Sequence, residues 1–417
     1  MASVLVAALG CGAFESVGPH VVLVTIDTLR ADRLGIYGYE RDTSPHIDRF
    51  FARGSVFENA SSSAPCTNPS VRQYLGGAFD YDVKRDVLAE LLSGEGYRTA
   101  AVVSQHIFYQ SLDRYRRGFD HFDIQGRAEV NWKNFTTRTA SEVTDRSLAW
   151  LSENADAEKI FLWVHYFDPH DPYEPPPAYQ GFDAGNGSSK HGDVRRYAEP
   201  SDAGDSELFD AKDIAHFRNL YDGEIQFVDA EIGRLLEGLE EAGIVQNAIV
   251  ALSADHGEWL WEQERWGHCT GVSDSEVRVP LLLRVNGRPL EGRGRIAEPS
   301  STLDLLPTLA SLLGIEIEDE AYHGVDLRAA PPERVVVSMW SREIAVRDAE
   351  WKLVLEKGVP RSLYWTSVDR EERWNRLADR PEPRSRLLER AAPYVGLHRR
   401  MHLEGVEDAL RDLGYIQ

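Results

Sequence analysis

Unbroken apolar, β-branched runs mark the interior of this chain. Val21–Ile26 is one, closing on the acid Asp27, and such a run predicts a strand buried on both faces of a mostly parallel sheet. Arg98–Val103, Ile160–Tyr166, Ala248–Ser253 and Val279–Val285 have the same character, and Asp255 follows the fourth. Between them the apolar positions recur with helical period. Asp48–Arg53, Val87–Ser93, Ala140–Asn154, Ala211–Gly243 and Leu303–Leu313 are the helices so predicted. Ile225, Val228, Ile232, Leu235 and Leu236 form one stripe along the longest of them. Asn68-Pro69-Ser70 opens a further helix, with Asn68 as N-cap and Pro69 at its first position. The prolines of Pro169–Pro177 impose a loop, and Gly181–Asp205, rich in Gly, Ser and Asp, is expected to be a long surface insertion.

Strands alternating with helices through about residue 315 predict a doubly wound α/β fold. Past Gly314 the pattern shortens. Arg334–Met339, Glu343–Arg347 and Lys352–Leu355 are short strands followed by the helical segment Arg384–Leu410. The expected fold class is therefore α/β: a large mostly parallel sheet sandwiched by helices, with a small C-terminal antiparallel α+β subdomain. The expected division is a leader over 1–19, a main domain over 20–315 and the C-terminal subdomain over 316–417.

Of the 417 residues 42% are hydrophobic, enough for an extensive core and too many for a disordered chain. The formal net charge of −22 argues against a nucleic-acid or anionic-membrane binder, since either needs a basic face. An anionic substrate would then need a local positive device, a metal or a helix end. No apolar run is long enough to span a membrane as a helix. Three cysteines, Cys11, Cys66 and Cys269, leave one internal 66–269 bridge arithmetically possible. Met1–Cys11, short and apolar with small residues before the cysteine, resembles the end of a bacterial lipoprotein signal that lacks its basic start. Export is the expectation, to the periplasm, the cell envelope or the exterior, with at most a lipid anchor on Cys11.

Open α/β sheets bind ligands beyond the carboxyl ends of their strands. Asp27 and Asp255 occupy two such ends and His256 follows directly, a combination suited to a divalent cation. Singly, either acid reads equally as a helix cap. Thr67 stands just ahead of the predicted helix start, where backbone N–H groups favour an anion. A hydroxyl there beside a metal suits attack on tetrahedral phosphorus or sulfur, although alone it reads as part of a capping turn. His106, His165, His170 and His268 all lie in or next to loops that follow strands, where acid–base groups are useful.

These residues closely resemble the sulfatase family of the alkaline phosphatase superfamily. The likeness runs in order from Val24–Gly35 and Thr43–Asp48 through Gly118–Asp123, His165–Tyr173, Tyr221–Ile225, Ser253–Glu258, Trp266–His268, Arg278–Leu281 and Asp304–Leu309 to Val346–Leu353, covering about residues 20–365. The resemblance implies ester hydrolysis through a covalent intermediate at one divalent metal, Ca²⁺ by family, with Mn²⁺ or Zn²⁺ as alternatives. It implies Asp27, Asp255 and His256 as ligands, Thr67 at the nucleophile position, and His170, His268 and His106 around the ester. The chain departs from the pattern in informative places. Sulfatases carry at the Thr67 position a cysteine that becomes formylglycine, whereas Cys66 stands one residue early, so no formylglycine is expected. Val71 replaces an arginine, Thr28 the second acid of an Asp-Asp pair, and Ser104 a lysine. A formylglycine hydrate has a second hydroxyl with which to expel sulfate, and threonine does not. A phosphothreonine can instead be opened by in-line attack at phosphorus. The expected substrate is an anionic ester on a small molecule, glycan or lipid head group, with phosphoester or phosphodiester preferred over sulfate ester. The alternative is an inactive relative that binds an anionic glycan or lipid head group.

Overall fold

The computed structural model describes residues 19–80, 82, 84–104, 108, 112–124, 137–183, 188, 190–192, 194 and 208–412. The leader and most of the Gly181–Asp205 insertion lie outside them. The central sheet has eight strands: β1 (His20–Ile26), β2 (Ser55–Phe57), β3 (Arg98–Val103), β4 (His121–Ile124), β5 (Ile160–Tyr166), β6 (Ala248–Ala254), β7 (Leu281–Val285) and β8 (Arg295–Ile296). Their spatial order is β8-β2-β7-β6-β1-β5-β3-β4. The run from β6 to β4 is parallel, and β7 alone is antiparallel to both of its neighbours.

The unbroken apolar runs are explained by helices on both faces. Val22, Val24, Leu162, Val164, Val250 and Leu252 enter one core, against α1 (Pro45–Phe51), α4 (Ala140–Glu153) and α5 (Ala211–Glu241). The alternate residues Val21, Leu23, Phe161, Trp163, Ile249 and Ala251 enter the other, against α2 (Thr67–Gly76), α3 (Leu88–Gly94) and α6 (Leu305–Leu313). Apart from His20 at the start of β1, every position of β1, β5 and β6 is thus buried. Among the described residues no helix is long and apolar enough to cross a membrane.

The C-terminal sheet is a four-stranded antiparallel meander, β9 (Val336–Trp340), β10 (Glu343–Arg347), β11 (Trp351–Glu356) and β12 (Val359–Trp365). One face packs on α7 (Pro381–Asp412) through Ile344, Val346, Leu353, Leu387 and Ala391. β9 docks on the segment that enters α2: Met339 N–H donates to Ser63 C=O at 2.9 Å and Ser338 Oγ to Ser62 C=O at 2.6 Å.

Several elements differ from expectation. The two-residue β8, the three-residue β2 and the edge strand β4 were not predicted, being too short or too polar to show a period. β12 was missed because Pro360 and Arg361 interrupt it. The predicted Val279–Val285 strand is shortened to β7 and runs antiparallel. The helix bearing Thr67 begins two residues earlier than predicted, with extended Cys66 as N-cap and Ser70 N–H bonded to Cys66 C=O. Pro69 is tolerated because first-turn N–H groups have no helical acceptor.

A buried ionic knot fastens the two parts together. Asp274 accepts from Arg347 at 2.7 Å and from Lys352 at 2.9 Å, and Lys352 also reaches Glu372 at 2.7 Å. Burial alone would raise the Asp274 carboxyl, but Arg347 and Lys352 hold it well below the usual range. Asp274→Ala takes the carboxylate away from buried Arg347 and leaves Lys352 with Glu372 alone, and a loss of about 3–5 kcal/mol in denaturant unfolding is expected. Because the folded carboxyl is depressed, the wild-type contribution is complete above the unfolded carboxylate range near pH ~4 and fades below it. A change under about 1 kcal/mol would refute this account of the junction.

Candidate active site

Strand register alone brings the two acids together. β1 and β6 are parallel neighbours with Ile26 opposite Ala254, so Asp27 and Asp255 leave the same sheet edge side by side. On the other flank Ile26 pairs with Tyr166, so the loop that carries His170 leaves there too. The start of α2 lies over this edge.

The result is a compact polar group within the fold. One oxygen each from Asp27 and Asp255 and one nitrogen of His256 lie within 4.8 Å of one another, all fully buried. His256 Nε2 is 3.6 Å from Asp27 Oδ1 and 3.6 Å from Asp255 Oδ2. Its Nδ1 donates to Gly257 C=O at 2.9 Å, and burial depresses its pKa, so the ring is neutral with a lone pair on Nε2. Asp255 Oδ1 is satisfied by the N–H groups of His256 and Thr28, at 2.8 and 3.3 Å. Asp255 Oδ2 is buried with no hydrogen-bond partner among the described residues. Burial, then the charges of Asp255 and Glu258, push the Asp27 carboxyl well above its ordinary range, against hydrogen bonds from Thr67 and Thr28. Lone pairs that face each other in a low-dielectric pocket repel unless a cation lies between them. The donor set therefore fits a divalent ion.

Thr67 is the first residue of α2, with Oγ1 3.2 Å from His256 Nε2 and bonded to Asp27. Cys66 points elsewhere, into a disulfide with Cys269 across a Cα–Cα distance of 5.1 Å. The His268 ring lies 4.6 Å from that of His256 and 4.8 Å from that of His170. The structure thus gathers Asp27, Asp255, His256, Thr67, His170 and His268, while His106 lies outside the described residues.

Surrounding residues that the sequence did not single out hold this group. Glu258, fully buried, has Oε2 3.5 Å from His268 Nδ1 and accepts from Tyr173 Oη at 2.7 Å, a position from which a carboxylate orients an imidazole. Its place two residues after His256 was the available signal. On the other side Thr25 Oγ1 accepts from Trp163 Nε1 at 2.8 Å and from Tyr74 Oη at 3.3 Å, which turns its own hydrogen towards His165 Nδ1 at 2.9 Å. His165, held neutral by burial with a pKa of about 4, then carries its hydrogen on Nε2, facing Asp27 Oδ2 at 3.9 Å.

Thr28 has φ +53°, a left-handed conformation that is costly for a β-branched side chain. It is imposed from both ends, by Asp255 on its N–H and by Tyr221 Oη on its C=O at 2.8 Å. Val71, where the family resemblance puts an arginine, is instead a fully buried core residue. Ser104 is buried at the end of β3.

Acids, imidazoles and a hydroxyl gathered at the carboxyl edge of a doubly wound sheet are the equipment of an α/β ester hydrolase. The chain belongs to the sulfatase family, whose model, described as Sulfatase, matches residues 19–315. It is 23% identical over 388 residues to an arylsulfatase of Clostridium perfringens, covering 76% of this chain and 79% of that one. It is 23% identical over 433 residues to a choline-sulfatase of Rhizobium meliloti, covering 87% and 83%. Among solved structures, BT4656 in complex with its substrate D-glucosamine-2-N,6-O-disulfate superposes with a TM-score of 0.73 at 17% identity, over 93% of this chain and 98% of that one. A phosphonate monoester hydrolase from Silicibacter pomeroyi superposes with a TM-score of 0.70 at 21% identity, over 92% and 95%.

Metal content tests the donor set. Purified protein is expected to carry one divalent ion per chain, and Asp255→Asn to weaken its binding by about 100-fold or more in chelator competition. Thr28→Asp, a residue better suited to the left-handed backbone, should tighten it by about tenfold through one more carboxylate. Metal content indifferent to both changes would contradict the assignment.

Proposed function

We propose that this protein hydrolyses an anionic ester through a covalent intermediate on Thr67, with one divalent cation held by Asp27, Asp255 and His256. We infer a phosphoester or phosphodiester in preference to a sulfate ester. The observation that carries the reading is the position of the Thr67 hydroxyl, bonded to Asp27 and 3.2 Å from His256 Nε2.

A cation bound there supplies positive charge that draws in the ester oxygens and polarises the reacting centre. Thr67 directs its hydrogen at Asp27, which leaves an Oγ1 lone pair for the reacting atom. As the new bond to Oγ1 forms, the Thr67 hydrogen passes to Asp27, the bond to the leaving oxygen breaks, and His268 or His170 is the proton source for that oxygen. Glu258 holds the His268 imidazole in place for this transfer. A water then attacks the group on Thr67, the imidazole deprotonated in the first step takes its proton, and the Oγ1 bond breaks as Asp27 returns a proton to restore the hydroxyl. With only one hydroxyl, Thr67 cannot expel the group by collapse to a carbonyl, so the second step is attack at the transferred atom. That route suits phosphorus. The substrate is a phosphorylated or sulfated small molecule, glycan or lipid head group. Calcium is the first choice of ion by family, and the mixed oxygen and nitrogen donors also suit manganese or zinc. The Cys66–Cys269 disulfide supports an oxidising, non-cytosolic site of action, in keeping with an exported or lipid-anchored protein.

The test is a panel of sulfate esters, phosphate monoesters, phosphodiesters and phosphonate esters assayed with Ca²⁺, Mn²⁺ and Zn²⁺. The best substrate should contain phosphorus. Thr67→Ala should lower kcat by about 10³-fold or more, whereas Thr67→Ser retains most of it. Undiminished turnover by Thr67→Ala would end the proposal. Metal-loaded protein that turns over nothing yet binds the anions would replace it with the anion-binding alternative.

A further inference from the structure

Thr67 and His268 come from segments about two hundred residues apart, yet the proposed reaction needs them in register. The residue before Thr67 is Cys66 and the residue after His268 is Cys269, and these two are bonded to each other across 203 positions of sequence. We propose that the Cys66–Cys269 disulfide is a positioning element of the active site, which fixes the attacking hydroxyl relative to the imidazole that serves the leaving oxygen. The proposal rests on the assignment of Thr67 and His268 above.

Both anchor points are placed for this role. Cys66 is the N-cap of α2, and its C=O accepts from Ser70 N–H at 3.1 Å and Ser70 Oγ at 2.7 Å, so its backbone sets the start and direction of the helix. Displacing Cys66 displaces Thr67 with it. On the other side His268 sits between two left-handed residues, Gly267 at φ +78° and Cys269 at φ +65°. A non-glycine residue keeps that conformation only where its surroundings impose it. The surroundings here are the bond to Cys66, a hydrogen bond from Cys269 N–H to Pro65 C=O at 3.1 Å, and one from Trp340 Nε1 to Cys269 C=O at 2.8 Å.

The remaining hydrogen bonds of this loop reach α2 only indirectly, through the C-terminal sheet. Glu276 accepts from Thr270 N–H at 2.8 Å and Thr270 Oγ1 at 3.1 Å, and Val272 N–H reaches Glu343 at 3.2 Å. These hold the loop to its own base and to the C-terminal sheet. Hydrogen bonds open and close thermally, while the sulfur–sulfur bond does not. Reacting groups misplaced by about 1 Å can cost about 100-fold in rate. Neither cysteine is fully buried, so a dithiol in solution can reach the bond. Its thiolate attacks one sulfur, and the net exchange yields the two free cysteine thiols and the oxidised dithiol.

Two measurements test the proposal, with the metal-loaded full-length protein and the best substrate of the panel. In Cys66→Ser, Cys269→Ser and the double variant, kcat should fall by about 10–100-fold with KM changed by less than about threefold. The double variant should be no worse than either single one, because all three remove the same link. Should the variants fail to fold, wild-type protein treated with dithiothreitol below its melting temperature gives the same reading. Turnover should then fall with the appearance of two alkylatable thiols at unchanged circular dichroism and metal content, and return on re-oxidation with oxidised glutathione. Full specific turnover by the folded fraction without the bond would overturn the proposal, whatever the change in melting temperature. So would a wild-type protein in which peptide mass analysis finds Cys66 and Cys269 as free thiols. If Thr67→Ala is inactive while the unbridged protein is fully active, only the role of the bridge fails. If Thr67→Ala is active, the nucleophile assignment fails with it.

Discussion

Two carboxylates and an unprotonated imidazole nitrogen face one another inside this protein, at 3.6 Å between His256 Nε2 and either acid, fully shielded from water. Left alone the arrangement is repulsive, and the Asp27 carboxyl, pushed well above its ordinary range by burial and by the charges of Asp255 and Glu258, relieves part of that repulsion by holding a proton. It persists because the sheet leaves it no alternative. Asp27 and Asp255 are rooted in adjacent parallel strands buried on both faces, and moving either acid means moving a core strand. The surrounding polar groups add to the constraint. Backbone N–H groups occupy one oxygen of Asp255, and Thr28 is held in a conformation it would not choose. A divalent cation placed between these donors would turn the repulsion into binding energy, and α2 brings the Thr67 hydroxyl to 3.2 Å from the same imidazole nitrogen.

The supporting residues divide by side. Beneath Asp27, the hydrogens of Trp163, Tyr74 and Thr25 run in one direction and fix the tautomer of His165. Beside His268, Tyr173 and Glu258 form a second short chain. The C-terminal sheet makes a third contribution. Trp340 and Glu343 bond the loop after His268, Met339 and Ser338 bond the segment before Thr67, and Arg347 and Lys352 hold Asp274. The small subdomain is thus a splint for two of the segments that meet at the site.

Much of this was readable from the chain. Strands buried on both faces advertise themselves as unbroken apolar runs, and an acid at the end of such a run lies at the ligand-binding edge. Asp27 and Asp255 were therefore legible, and His256 with them. Thr67 was legible from the family pattern, although the sequence places the helix start two residues late because Asn68-Pro69 imitates a cap. The antiparallel course of β7 was not legible, since a buried run has no direction. Glu258 and Tyr173 stand inside stretches that carry the family likeness, but neither has a periodic signal, and their meeting beside His268 is set by the fold. The same holds for Cys66 and Cys269, which arithmetic could pair but not bring together.

The central claim is that this cup of acids directs the Thr67 hydroxyl at an ester. Rapid quenching of the protein during turnover of its best substrate, followed by peptide mass analysis, tests it most directly. The account predicts that the peptide containing Thr67 gains the mass of one transferred phosphoryl or sulfuryl group, localised to Thr67 and absent in unreacted protein. An unmodified Thr67 in an enzyme that is turning over under conditions that trap the intermediate, or the group found on another residue, would contradict it.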